Sequence, residues 1–336
     1  MSDALIEVSG VSKTFRTEVK EPGFAASIRS LYRRRVREVH ALDGVDMTVR
    51  EGEVVGLLGA NGAGKTTLLK ILAGIIRPTA GNVRVLGYDP WQRDDRMRRQ
   101  IALIMGQKAQ LWWDLPASDC FVLLKEIYRI PDAECASTLN DLGARLSVGH
   151  LLDVPIRMLS LGERMKMELI AALLHRPKVL FLDEPTIGLD VSAQQSIRQF
   201  LLEYVATNKP AVILTSHYFE DIKKLCDRVL AIRAGKLTDL GTVEALLHAH
   251  SPKRLIKARL DGGDGSVGPT DLTAFGFVER FTRDELLIEV DKDRVADCVH
   301  YIFRHLVVVD LSISEPEDSV VYESVLGQRN DQVARS

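Results

Sequence analysis

The chain has 336 residues, 46% of them hydrophobic, which is enough for one large α/β domain and a small second one. Its formal charge of -2 offers no global electrostatic argument for nucleic-acid binding, and four scattered cysteines without a C-x-x-C pair suggest neither a zinc site nor a disulfide framework. The N-terminus carries charges where a signal peptide needs an apolar run and no membrane-spanning apolar stretch occurs, so a soluble, cytoplasmic protein is expected, reaching any membrane by docking onto another chain.

Residues 5 to 16 and 39 to 49 alternate apolar and polar side chains, which predicts an antiparallel strand pair. Between them, residues 17 to 38 carry Arg29, Arg33, Arg34, Arg35 and Arg37 among apolar residues on helical spacing. This basic insertion is either a solvated surface excursion or a segment suited to anionic headgroups or a partner's loop.

The apolar run Val54 to Leu58 reads as a buried strand, and Thr66 to Ala73 as a helix. The turn between them, Gly59-Ala60-Asn61-Gly62-Ala63-Gly64-Lys65-Thr66-Thr67, matches G-x-x-x-x-G-K-[ST] in full. Backbone N-H groups along Gly59, Asn61, Gly62, Ala63 and Gly64, together with the helix N-terminus, can cradle a triphosphate. Lys65, taken as a surface lysine of the loop, would reach the β- and γ-phosphates, Thr66 would offer its hydroxyl to Mg²⁺, and Thr67 would reach the α-phosphate side.

Arg77 to Gly81 is turn chemistry, and Asn82 to Gly87 alternates as a further strand. Ile101 to Met105 reads as a buried strand closed by Gly106-Gln107, and helical periodicity at 117 to 130 and 134 to 147 makes residues 108 to 160 a mostly helical insertion. Ser160 and Glu163 form a capping-box pattern ahead of a helix over Arg164 to His175, where a helix start is also a ready anion site.

Val179 to Leu182 is an apolar run delivering two acids, Asp183 and Glu184, to a strand's C-terminal edge, where open α/β sheets bind ligands. Asp183 would bind Mg²⁺ through water or Thr66, and Glu184 would polarise a water beside the γ-phosphate. A helix over Ala193 to Val205 and a buried strand, Ala211 to Thr215, lead to His217, placed to sense the γ-phosphate. Helix 219 to 226 and strand 228 to 233 complete an alternating β/α order. Beyond residue 250, strands near 254 to 260, 277 to 282, 285 to 290 and 306 to 313 with a helix near 293 to 304 read as a small α+β domain. A further short helix is expected from Glu315, and a polar tail from Gln328 to Ser336.

This ordered set resembles the nucleotide-binding subunit of ATP-binding cassette (ABC) transporters over residues 1 to about 245. The resemblance implies a P-loop NTPase with a mainly parallel sheet, an N-terminal antiparallel β subdomain and a helical insertion at about 108 to 160; the small α+β domain at 250 to 330 stands outside it as an accessory unit. The resemblance implies ATP and Mg²⁺ as ligands, with Thr66, Gln107 and Asp183 around the metal, and Glu184 and His217 as the catalytic pair. Leu159 to Glu163 is similar to the family signature, Gly188-Leu189-Asp190 to the D-loop, and Phe15 falls where the family stacks an aromatic ring on adenine. The signature departs from L-S-G-G-Q at Leu161 and Glu163, while Ser160 and Gly162, the positions that touch phosphate, survive; Glu163 adds a charge that could repel it. Because the family closes one subunit's signature on the other's phosphate loop, a homodimer, or a pair with a paralogous subunit, is implied. So is an integral membrane permease, with export as the direction and the inner face of the cell membrane as the location. The alternative is a soluble ABC ATPase acting on ribosomes or DNA; nucleic acid is not expected as a partner.

Overall fold

The alternating N-terminal segments form a long antiparallel hairpin, β1 (Ala4–Glu18) and β2 (Val36–Arg50). The computed structural model describes residues 4–18, 36–106, 108–250, 253–261 and 268–314. The basic insertion therefore lies almost wholly outside the described residues; its ends do not, and Glu18 and Val36 are Cα partners at the tip of the hairpin. Inward residues Ile6, Val8, Val11, Val45 and Val49 are buried on one face, as period-two alternation requires.

Strand β3 (Val54–Leu58), helix α1 (Lys65–Leu72) and strand β4 (Ala80–Val85) follow. β4 joins the hairpin to make a three-stranded sheet in the order β2-β1-β4, with Ile6 opposite Val85 and Val8 opposite Val83. The expected strand to Gly87 stops short at Val85, because Leu86 and Gly87 both take positive φ and turn the chain back so that Val85 and Tyr88 exchange hydrogen bonds.

Strand β5 (Ile101–Met105) leads into the helical insertion, α2 (Ala117–Tyr128) and α3 (Asp132–Arg145), each preceded by proline and each starting about where the periodicity puts it. Helix α4 (Leu161–Leu173) starts three residues before the expected Arg164, since Ser160 is its N-cap. Then come β6 (Val179–Asp183), α5 (Val191–Asn208), β7 (Ala211–Thr215), α6 (Phe219–Leu225) and β8 (Arg228–Arg233). A strand the sequence reading missed, β9 (Lys236–Thr242), sits beside β8 after the turn Ala234-Gly235, both at positive φ.

The main sheet has the order β5-β6-β7-β3-β8-β9, and its pairs from β5 to β8 are parallel. Strands β3, β6 and β7 are buried at every position, which is why they are rich in Val, Leu, Ile and Phe and do not alternate with polar residues. This register aligns Met105, Asp183 and Thr215 across three strands and ends them at one edge. The fold is that of a P-loop NTPase with an antiparallel β subdomain and a helical insertion.

The chain divides into two compact units, Met1–Gly241 and Thr242–Ser336. The second begins with helix α7 (Val243–His250) and continues as β10 (Lys253–Leu260), a helical turn at Pro269–Leu272, β11 (Gly276–Phe281), β12 (Glu285–Asp291), α8 (Val295–His305) and β13 (Val308–Ser314). Its antiparallel sheet runs β11-β12-β10-β13, so the β-α-β-β-α-β order is ferredoxin-like. The helix expected from Glu315 and the C-terminal tail lie outside the described residues. All four cysteines are free and buried, and among the described residues no helix is long and apolar enough to cross a membrane.

The second unit has its own core, built from Ile256, Ala258, Leu286, Ile288, Val290, Cys298 and Ile302. Ile302 is fully buried. Ile302→Ala should cost this unit about 3 kcal/mol and leave the first unit's melting unchanged, as followed by calorimetry of the whole chain. A shift of both transitions together would contradict two separate cores.

Candidate functional site

The phosphate loop leaves the end of β3 and closes on itself around Lys65. The Lys65 ammonium donates to the carbonyls of Gly59 at 2.6 Å and Ala60 at 3.2 Å, and the side chain is only 5% exposed. This corrects the expectation of a surface lysine. Burial pulls its pKa down from the usual lysine range, while Glu184 and Asp183 push it back up. Gly62 and Gly64 both have positive φ, and a Cβ at Gly64 would come within 2.5 Å of the Ala41 carbonyl, so the turn needs glycine there for conformation and for space. Helix α1 starts at Gly64 with no side-chain cap and no acid in its first turn, leaving the helix start open to an anion.

At the end of β6, Asp183 is almost fully buried. Its Oδ2 accepts from the Thr66 hydroxyl at 2.7 Å and its Oδ1 from the Thr215 hydroxyl at 2.7 Å, so one carboxylate joins the starts of α1 and the ends of β6 and β7. The paired oxygens of Thr66 and Asp183 are the hard donors that Mg²⁺ prefers.

Glu184 follows at φ +57°, a left-handed conformation unusual outside glycine, held by its N-H donating to the Thr215 carbonyl and hydroxyl, each at 3.1 Å. Its Oε1 lies 2.7 Å from His217 Nε2, and its Oε2 is buried with no hydrogen-bond partner among the described residues. That orphaned acceptor is a costly arrangement in a buried site unless something binds there. The Glu184 carbonyl is approached so closely by Gly106 that a Cβ on the glycine would sit 2.0 Å away. The Gly106 N-H also donates to the Asp183 carbonyl at 2.8 Å. Gln107, next in the chain, lies outside the described residues.

The structure thus brings Lys65, Thr66, Asp183, Glu184 and His217 to one sheet edge. Ser160 and Gly162 stand at the start of α4. Ser160 is the centre of a complete capping box: its N-H and hydroxyl donate to Glu163 Oε2 at 2.9 and 2.7 Å, and Glu163 N-H donates back to its hydroxyl at 3.3 Å. Those bonds hold the Glu163 carboxyl below the usual range and turn its charge onto the helix start. A Cβ on Gly162 would meet Ala193 at 3.0 Å, so the signature packs on the start of α5, which Asp190 caps by accepting from Ala193 N-H at 2.9 Å. Among the described residues, neither Ser160 nor Gly162 is hydrogen-bonded to the phosphate loop. Phe15, opposite Val39 on the hairpin, is 36% exposed, with the Lys13 ammonium 5.0 Å from its ring centre. Gly64 packs against Ala41 and Leu42, two residues further along the same β2 strand.

Glu168 escaped the sequence reading. It lies on α4 and is buried, and its Oε1 accepts from the backbone N-H of Gln110 at 2.8 Å and Leu111 at 3.2 Å. One turn earlier, Arg164 stacks over the Trp113 ring at 5.3 Å. An acid amid Met165, Met167, Leu169 and Ile170 was the available signal. Burial raises the Glu168 pKa and the two N-H donors pull it back.

A family profile described as ABC transporter matches residues 42–187. The chain is similar to the ABC transporter ATP-binding protein NatA of Bacillus subtilis (strain 168), at 30% identity over 65% of this chain and 88% of that protein. It is also similar to the daunorubicin resistance ATP-binding protein DrrA3 of Streptomyces coeruleorubidus, at 34% identity over 63% of this chain and 67% of that protein. A solved structure of an ATP binding subunit of an ABC transporter superposes with a TM-score of 0.60 at 25% identity, covering 73% of this chain and 92% of that one.

Glu168→Ala should destabilise the first unit by about 2 kcal/mol, because two N-H groups lose their acceptor. Amide exchange at Gln110 and Leu111 should accelerate, while that of Glu163, held by the Ser160 cap, should not. Unchanged exchange at Gln110 and Leu111 would show that Glu168 does not hold that loop.

Proposed function

The chain belongs to the ABC transporter family, as an ATP-binding protein of transport systems, and from that premise we propose that it hydrolyses ATP to drive a partner permease in the export direction. The observation that carries the hydrolysis is Glu184. Its carboxylate is oriented by His217 through Oε1 and keeps Oε2 buried and unpaired among the described residues, one position after the carboxylate that bonds Thr66. An acceptor so placed takes a proton from an attacking water, and His217 fixes its aim and contacts the γ-phosphate.

Lys65 leaves its two carbonyl partners for the β- and γ-phosphates, a stronger, charge-assisted contact than neutral carbonyls supply. Backbone N-H groups from Gly59 to Thr67, Asn61 and Ala63 among them, cradle the phosphate chain, and Phe15 offers its ring to the adenine. Thr66 and Asp183, with Gln107 as the residue next after Gly106, would hold Mg²⁺, which would neutralise charge on the phosphate oxygens.

Ser160 and Gly162 are not bonded to their own phosphate loop, which supports their serving the loop of a second subunit, with Asp190 at the junction. The chain then acts as a dimer, with itself or with a paralogous subunit. In this reading it sits on the inner face of the cell membrane through an integral permease, and the basic segment 17–38 adds a second, electrostatic contact. The similarity to a protein named for daunorubicin resistance supports export as the direction.

Lys65→Ala should weaken ATP binding about tenfold or more and abolish hydrolysis, with a stability loss of about 1 to 3 kcal/mol from the lost buried bonds. Nucleotide titration and melting check both, and undiminished turnover would refute the site. Glu184→Gln should keep ATP affinity, slow hydrolysis by about a hundredfold or more, and produce an ATP-dependent dimer visible by light scattering. Normal hydrolysis by that variant would remove Glu184 from the mechanism.

A further inference from the structure

Asp221, on α6, is fully buried and forms no part of the phosphate site. Its Oδ2 accepts from two hydroxyls, Thr186 at 2.5 Å and Ser216 at 2.6 Å. Its Oδ1 accepts from the guanidinium of Arg198, a buried residue of α5. The Ser216 hydroxyl in turn accepts from the N-H of Tyr218, so the backbone on both sides of His217 is tied to the same point. Thr186 stands two residues after Glu184. Gln194 completes the cluster, receiving a bond from Arg198 and donating to the carbonyls of Thr186 and Leu189.

Burying a carboxylate and a guanidinium together is costly, and a packed apolar cluster of the same volume would hold α5 against α6 at least as well. What an apolar cluster cannot do is fix two separate loops at defined distances, because dispersion contacts are non-directional and hydrogen bonds are not. We propose that Asp221, with Arg198 behind it, is the positioning carboxylate of the hydrolytic pair: it holds the Glu184 loop through Thr186 and the His217 loop through Ser216, and so sets the Glu184–His217 contact. Neither Thr186 nor Ser216 is hydrogen-bonded to Glu184 or His217 side chains; both act through Asp221. Leu189, beside the Asp190 cap, is reached through Gln194, so the segment facing a second subunit is referred to the same point. The proposal rests on the reading of Glu184 and His217 as the hydrolytic pair.

Thr186→Val and Ser216→Ala each cut one link and leave the Arg198–Asp221 pair to hold the fold. Each should lower kcat about tenfold or more with KM for ATP nearly unchanged, since misplacing a catalytic group by a fraction of an ångström is enough for such a loss. Thr138→Val, which removes a comparably buried hydroxyl bonded to Arg176 in the helical insertion, should leave kcat intact. Histidine-labelled protein supplies a readout independent of turnover. The His217 ring resonances, assigned by their loss in His217→Ala, should shift in Thr186→Val although Thr186 does not touch His217. Wild-type kcat in both single-link variants, or an unmoved His217 resonance in Thr186→Val, overturns the proposal. Absence of ATP turnover in the wild type would refute the hydrolysis reading instead, and the His217 resonance would still decide whether Asp221 sets the contact.

Discussion

The bonds that Asp183 accepts from Thr66 and Thr215 are what the rest of the site depends on. Through them a single carboxylate links the start of the helix after β3 to the ends of β6 and β7. The parallel register makes this possible by ending the strands level with one another. A carboxylate this deeply buried would be expensive with any oxygen unpaired. Both of its oxygens have partners, and the next residue inherits a fixed starting point. Glu184 is then forced into the left-handed region, with its N-H shared between two atoms of Thr215. Strain of this kind persists only where the surroundings over-determine it, and here they do.

Set against that rigidity, three features are held in readiness. Among the described residues, Lys65 is a buried cation hydrogen-bonded to two neutral carbonyls, Glu184 Oε2 is a buried acceptor with no hydrogen-bond partner, and helix α1 has no side-chain cap. Each is a deficit in the folded state. Together at one edge they describe a surface whose missing partners are anionic oxygens on one side and a proton donor on the other.

The helical insertion is joined to this edge by different means. Glu168 grips the backbone at Gln110 and Leu111, while the same helix begins with Ser160 satisfied by its own Glu163. The signature serine is therefore pre-ordered as a cap, and the charge at Glu163, which from sequence looked able to repel phosphate, is spent within the box. The departure from the usual signature stabilises the helix start locally.

Sequence alone determined the elements whose signal is local. The phosphate loop, the uninterrupted buried strands and the capping box were legible because each depends on a few adjacent residues: glycines that permit a turn, apolar runs with no polar face, and a serine three residues before a glutamate. Strand β9 and the end of β4 were misread because both are set by positive-φ turns, one of them carrying Leu86 and another Ala234, residues with no turn signature. Tertiary structure decided what depends on meetings across the chain. Lys65 proved buried because the loop folds over it, Glu168 finds its acceptor role at Gln110, 58 residues away, and Asp221 meets Thr186 and Arg198 across 35 and 23 residues. No local pattern encodes such a partner, because a charge in an amphipathic helix reads as solvated until packing places a backbone N-H or a guanidinium against it.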